Sequence, residues 1–230
     1  MVKRLVIIPA RSGSKRILNK NTKLFLKKPL IYYCLDELNK SKLFDTIHVS
    51  TDSKKISKLI LKKKIKLDFL RPKKLSGNKI GLWPVLKYVV EKFKKKSIFF
   101  DQIWLVYASN PLISKDLIIK CEKEFVKKSK KENTALITVS KYNYPIEWAQ
   151  TVNKKGFLKA IDKKKLKIRS QDLKNTLCDA GMINIYKPDV FFQKNKRINY
   201  TPFLVPYLKT VDIDDLEDFK MAEKLFKIND

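Results

Sequence analysis

Two short stretches hold the residue types that group-transfer chemistry needs. From Pro9 to Asn21 the chain reads Pro-Ala-Arg-Ser-Gly-Ser-Lys-Arg-Ile-Leu-Asn-Lys-Asn. Backbone amides around Ala10 and Gly13, the hydroxyls of Ser12 and Ser14, and the cations Arg11, Lys15, Arg16 and Lys20 are the donors a triphosphate requires. They offset the charge that grows on a leaving pyrophosphate. The spacing is not that of a P-loop, and a single glycine does not make a dinucleotide fingerprint. The plain alternative is a solvated basic loop. The second stretch is Val211-Asp212-Ile213-Asp214-Asp215. If residues 211–214 are extended, Asp212 and Asp214 share a face, because side chains alternate with period two. Paired carboxylates suit a hard cation such as Mg²⁺, which takes one or two of them plus phosphate and water oxygens. Acidic residues ahead of a helix also serve as caps and complement its dipole, and Asp215, Glu217 and Asp218 fit that role.

Alternating strands and helices must position these stretches. Leu5-Val6-Ile7-Ile8 is an unbroken apolar run, as expected of a parallel strand covered on both faces. After the basic loop, Pro29 stands at a first helical position, and Leu30, Tyr33, Cys34 and Leu38 recur at helical spacing. Residues 46–50 read as a second strand, and Ile56, Leu59 and Ile60 mark the next helix. Residues 65–69 alternate like a short strand. Leu82, Val85, Leu86, Val89, Val90 and Phe93 form one helical face, with Pro84 in the first turn. Strand patterns at 103–107 and 135–139 flank a helix that Ser114 can cap. This order predicts an α/β fold: a mostly parallel, Rossmann-like sheet with helices on both faces.

Ligands of such a sheet bind beyond the carboxyl ends of its strands. The basic loop lies there, and so does the turn at Asn110-Pro111, which makes Tyr107, Ser109 and Asn110 candidates to line the same site. Residues 142–177 break the alternation. Extended pieces at 147–152 and 156–161 flank a turn, which predicts an inserted β-hairpin arm on a single domain spanning 1–230. The strand pattern resumes at 181–186, and a last helix runs over about 215–227.

Composition narrows the function classes. The 230 residues are 44% hydrophobic, enough for a core, and carry 52 Lys plus Arg against 23 Asp plus Glu, a net charge of +29. Such an excess can mark a nucleic-acid partner. Here arginine stands only at positions 4, 11, 16, 71, 169 and 197, and lysines scatter along the whole chain. Base recognition leans on arginine's bidentate geometry, so the excess reads as solvated surface rather than a nucleic-acid footprint. No apolar run reaches membrane-spanning length and the N-terminus lacks a signal-peptide pattern, so no membrane partner is expected. Three widely spaced cysteines, Cys34, Cys121 and Cys178, fit a reducing cytoplasm better than a disulfide framework. The one histidine, His48, lies in a strand pattern and reads as structural.

These residues carry a resemblance. Ile8-Pro9-Ala10-Arg11-Ser12-Gly13-Ser14-Lys15-Arg16, with Lys20-Asn21, resembles the opening motif of the cytidylyltransferases that activate nonulosonic acids. Leu43-Phe44-Asp45, Val49-Ser50-Thr51-Asp52, Leu70-Arg71-Pro72, Asn110-Pro111-Leu112 and Val211-Asp212-Ile213-Asp214 follow in the family's order, so the resemblance spans nearly the whole chain. Tyr107-Ala108-Ser109-Asn110-Pro111, Tyr144-Pro145-Ile146, Arg169-Ser170-Gln171-Asp172-Leu173 and Asp179-Ala180-Gly181 look most like the pseudaminic acid branch rather than the acylneuraminate branch.

The resemblance implies attack of a sugar acid's anomeric hydroxyl on the α-phosphorus of CTP, with Mg²⁺ as cofactor. By the same resemblance Arg11, Ser14, Lys15, Lys20 and Asn21 hold the nucleotide, and Arg71 and Ser76 contact it. Gln171 and Arg169, with Asn110 and Asp179, face the sugar acid, and Asp212 and Asp214 hold the metal. It also implies a homodimer built by the 142–177 arm. Four departures stand out: Ser12 for a family glycine, Leu18 for a proline, the loss of acidic and threonine residues over 77–82, and Cys178 where the pseudaminic branch has histidine. Other expectations left open are an acylneuraminate, legionaminate or octulosonate substrate, a non-catalytic relative, and a basic nucleic-acid-binding protein without catalysis.

Overall fold

A computed structural model describes residues 2–14, 16–129, 133–193 and 197–229. The chain begins with β1 (Arg4–Pro9), the small antiparallel pair β2 (Leu24–Phe25) and β3 (Lys28–Pro29), and α1 (Leu30–Ser41). Next come β4 (Thr46–Ser50), α2 (Lys54–Lys62), α3 (Leu82–Lys94), β5 (Gln102–Val106), α4 (Lys115–Lys128) and β6 (Thr134–Lys141). The arm contributes β7 (Gln150–Val152) and β8 (Leu158–Ala160). Then β9 (Leu177–Tyr186), β10 (Asn199–Leu204) and α5 (Leu216–Asn229) complete the order.

Six strands form one sheet in the order β10-β6-β9-β5-β1-β4. All run parallel except β9, which is antiparallel to both of its neighbours. The apolar runs of β1 and β5 are buried on both faces, which is why they read as continuous rather than alternating. One face packs on α1, α2 and α4 through Cys34, Leu35, Ile56, Ile60, Ile118 and Phe125. The other packs on α3 through Leu86, Val89, Val90 and Phe93. Ser53 and Ser114 cap α2 and α4, accepting hydrogen bonds from the Ile56 and Leu117 amides.

The alternating pattern at 65–69 does not become a strand. This segment lies in extended form beside β4, and the Arg71 amide donates to the Thr51 carbonyl at 2.8 Å. The inward side chains Ile65, Leu67 and Phe69 pack on the core, so burial produces the alternation without a ladder. His48 is buried beside Phe69 and Phe93, ring centroids 4.4 and 5.7 Å away, as a structural residue of β4. Between Ile137 and Val139 the β6–β9 register shifts. The Thr138 hydroxyl closes the gap, donating to the Ile183 carbonyl and accepting from its amide, both at 3.0 Å.

Within the 142–177 segment, β7 and β8 form a two-stranded antiparallel ribbon separate from the main sheet. Its turn is held by the Asn153 side chain, which accepts from the Lys155 and Phe157 amides, and by Gly156 at φ 83°. Val152, Phe157, Leu158 and Ile161 are each about two-thirds exposed. No helix among the described residues is long and apolar enough to cross a membrane.

Candidate active site

The basic loop and the 211–215 stretch are some 200 residues apart in sequence and meet through an apolar cluster. Ile17, from the loop, and Ile213, between the two aspartates, are both buried against Phe25, Leu30, Tyr33 and Phe219. With these two side chains held in one cluster, their polar neighbours face each other. Arg16 Nη2 lies 2.7 Å and Lys20 Nζ 3.7 Å from Asp214 Oδ1, and Lys20 Nζ donates to the Ile213 carbonyl. Residues 211–214 belong to no strand; Ile213 is fully buried, and of the carboxylates on either side Asp214 lines one cleft while Asp212 lines a second groove. The loop itself turns at Asn19, whose left-handed φ of 56° an asparagine tolerates.

The result is a cleft of about 290 Å³ at the carboxyl ends of the strands. Arg11, Ser14, Lys20, Asn21, Arg71, Tyr107, Ser109 and Asp214 line it, as the sequence suggested, and Arg16 joins them. Arg71 is buried, with Nε donating to Ser50 Oγ at 3.1 Å and Nη2 to the Ser50 carbonyl. Burial, with Arg11 nearby, pushes its guanidinium down to about 10, while Asp52 acts in the opposite direction. Its charge is thus desolvated and turned toward the cleft, short of a full counter-ion.

Asp212 stands where this cleft adjoins a second groove of about 600 Å³ lined by Asp179, Cys178, Tyr142, Tyr144 and Tyr207. Ser109 Oγ donates to Asp212 Oδ1 at 3.2 Å. Burial, reinforced by the charge of Asp214, raises the Asp212 carboxyl above its ordinary value. Gly181 lies against it. At φ 59° this glycine takes a left-handed turn, and a Cβ there would lie 3.4 Å from the Asp212 carboxyl carbon. Beside Asp179 the phenols of Tyr107, Tyr186 and Tyr200 gather, with Asn184 Nδ2 donating to the Tyr186 hydroxyl at 3.2 Å. Burial and the Asp179 charge raise Tyr107 and Tyr186, so both remain protonated donors.

Other sequence candidates lie elsewhere. Ala10 is buried beneath the loop, its amide donating to the Ser50 carbonyl at 2.9 Å. Ser12 turns away, its amide and hydroxyl both donating to Asp52. Gly13 has open space around it, and Ser76 Oγ donates to the Pro72 carbonyl at 3.2 Å. Asn110 is fully buried, its Oδ1 accepting from the Leu112 amide and its Nδ2 unpartnered. Arg169 and Gln171 sit exposed in the arm and line neither cavity, with Arg169 paired to Asp172 at 2.9 Å. Lys15 lies outside the described residues. The departure at 77–82 acquires a contact: Arg11 Nη1 donates to Asn78 Oδ1 at 2.6 Å, across the mouth of the cleft. Sequence reasoning assigned no role to Asp52, though it stands in the Val49–Asp52 motif, or to Asn78 within the 77–82 departure, and it passed over Asn184, Tyr186 and Tyr200.

A cationic loop at the carboxyl edge of a mostly parallel sheet, with two carboxylates facing it, is the equipment of an enzyme that transfers nucleotidyl groups. The chain belongs to the cytidylyltransferase family, whose model matches residues 5–230. It is 32% identical to a pseudaminic acid cytidylyltransferase of Campylobacter jejuni, over 99% of this chain and 98% of that one. It is 27% identical to a CMP-N,N'-diacetyllegionaminic acid synthase of Legionella pneumophila, over 98% and 97%. Among solved structures, a CMP:2-keto-3-deoxy-manno-octonic acid synthetase in complex with CTP superposes with a TM-score of 0.73, covering 99% of each chain at 16% identity, a likeness of fold.

Proposed function

We propose that this chain activates a nonulosonic acid, pseudaminic acid foremost, by transferring CMP to it from CTP. The observation that carries this reading is the meeting of loop cations with a carboxylate in one cleft, Arg16 and Lys20 against Asp214. The full-length match to the Campylobacter enzyme supports pseudaminic acid over its relatives.

In this reading Arg11, Lys20, Arg71 and the loop amides hold the triphosphate, with Ser14, Asn21, Tyr107 and Ser109 around the nucleoside. Charge on the leaving pyrophosphate grows toward cations already in place, which lowers the barrier without reorganisation. The sugar acid enters beside Asp179, where the phenols of Tyr107 and Tyr200 present donors to its carboxylate and hydroxyls, with buried Tyr186 behind them. Its anomeric oxygen attacks the α-phosphorus, the bond to pyrophosphate breaks, and the hydroxyl proton passes to water at the Asp212 carboxylate. Alignment of the two reactants supplies much of the rate.

Asp212 and Asp214 fit Mg²⁺ by the chemistry of the donor set. Burial and mutual repulsion lift the Asp212 carboxyl, and a divalent cation relieves that repulsion. When bound, the ion neutralises phosphate charge and orients the phosphates. Arg169 and Gln171 are exposed and line neither cavity, and the ribbon bears exposed apolar residues, which favours a homodimer in which the arm of one copy reaches its partner. Phe157→Glu together with Ile161→Lys should then give a folded monomer by analytical ultracentrifugation. A reducing cytoplasm suits three free cysteines.

The test is pyrophosphate release with CTP, Mg²⁺ and a panel of pseudaminic, legionaminic, neuraminic and octulosonic acids. Turnover with pseudaminic acid first in kcat/KM is the expected result; no turnover with any acid refutes the reading.

A further inference from the structure

Asp52 follows β4 at the carboxyl edge of the sheet and faces the nucleotide loop without lining the cleft. Both of its oxygens are engaged by one residue. The Ser12 amide donates to Oδ1 and the Ser12 hydroxyl to Oδ2, each at 2.9 Å. A carboxylate gripped in this way by a residue forty positions earlier fixes the backbone of that residue in two directions. The adjoining stretch is tied to the same edge by the Ala10 amide at the Ser50 carbonyl, 2.9 Å. The next residue, Arg11, is therefore delivered to the cleft mouth, where it meets Asn78. Asp52 also lies close enough to buried Arg71 to bear on its charge.

The departure of Ser12 from the family glycine acquires a physical sense. A glycine would supply only the amide donor, whereas serine supplies the second donor and closes the fork on Asp52. Glycine would also leave the loop with more conformational freedom to lose when a nucleotide binds.

We propose that Asp52 is a positioning residue: through its two bonds to Ser12 it holds the nucleotide loop in the conformation that receives the triphosphate. The proposal rests on the reading of the cleft as a CTP site. Preformed loops bind more tightly because the ordering cost is met during folding, so loss of the fork weakens CTP binding while the chemical step keeps its participants. The carboxylate is held below its ordinary value: burial draws it up, and the two Ser12 bonds with Arg71 outweigh that, so it stays ionised at neutral pH.

The test is a cycle of Ser12→Ala, Asp52→Ala and the double variant, with Asp52→Asn as a variant of unchanged shape. Two readouts are compared, calorimetric Kd for CTP with Mg²⁺ and steady-state KM against kcat. Asp52→Ala should raise Kd and KM for CTP by about tenfold, with kcat within about threefold of wild type. Ser12→Ala should raise them by about threefold and have no further effect once Asp52 is alanine, because both changes open the same fork. Asp52→Asn, which keeps one acceptor, should fall between wild type and Asp52→Ala. A lowered melting temperature with unchanged Kd, or effects of the two substitutions that multiply, overturns the proposal and leaves Asp52 a stabilising residue only. If the wild type binds CTP and turns over while every variant matches it, the proposal alone falls. If the wild type does not bind CTP, the function assigned to the cleft falls with it.

Discussion

The pairing of Ile17 with Ile213 makes a quantitative demand. If burial of Ile213 sets where Asp212 and Asp214 point, shortening that side chain should cost both stability and catalysis. Ile213→Ala removes three buried carbons from a fully enclosed position. At about 0.8 kcal/mol per methylene the transfer loss is about 2.4 kcal/mol. The cluster around it is rich in rings, with Phe25 and Phe219 at 5.4 Å and Phe25 and Tyr33 at 5.0 Å, all edge to face. Such rings cannot close fully over a void, so a residual cavity brings the total to about 3–4 kcal/mol. Urea unfolding followed by circular dichroism measures this directly, and Ile213→Val, which removes one carbon, should lose about 1 kcal/mol. At a temperature where the alanine variant is still folded, kcat/KM for CTP should drop about tenfold or more, since both carboxylates remain but lose their fixed spacing. A loss below about 1 kcal/mol in Ile213→Ala, or full activity despite the expected loss of stability, would refute the idea that the apolar pin aligns the site.

Other consequences are as direct. Asp212→Asn should abolish turnover yet leave the melting temperature equal or higher, because it removes a carboxylate charge that Asp214 repels; a lower melting temperature contradicts this. Gly181→Ala should destabilise by about 1–2 kcal/mol, the cost of a left-handed backbone for alanine, and should lower activity through the adjacent Asp212. Asp36 gives an acid-range signature. Burial raises its carboxyl, but Lys28 at 2.5 Å and Lys63 at 2.6 Å outweigh that and hold it below the ordinary value. A lowered folded-state value means its contribution is complete above the unfolded pKa of about 3.9 and is lost as pH falls through the folded one. Asp36→Asn should therefore cost about 1 kcal/mol at pH 7, discounted for partial exposure, and progressively less as pH falls below the unfolded value toward pH 2. Denaturant titrations at the two pH values measure the difference.

Most of the fold was legible because its elements are long and strongly periodic. The buried runs of β1 and β5, the apolar face of α3 and the Ser114 cap each encode their own conformation locally. The false strand at 65–69 shows the limit: the same alternation arises whenever an extended segment buries every second side chain, and only a ladder partner distinguishes the two. In the site, the loop cations and the paired aspartates were legible from residue type and spacing. Asp52 and the tyrosines at 186 and 200 were not, because their meaning lies in what they face.

The sequence by itself determined an α/β protein with a basic, hydroxyl-bearing loop after its first strand and a carboxylate pair before its last helix. It determined these because side-chain period, turn residues and charge type act over a few neighbouring positions. Tertiary structure alone decided that β9 runs against the other strands between β5 and β6, and that Ile17 and Ile213 share one cluster. It also decided that Ser12 hangs on Asp52. These are contacts between residues tens to hundreds of positions apart. They exist only when the whole core has closed, and no local pattern records them.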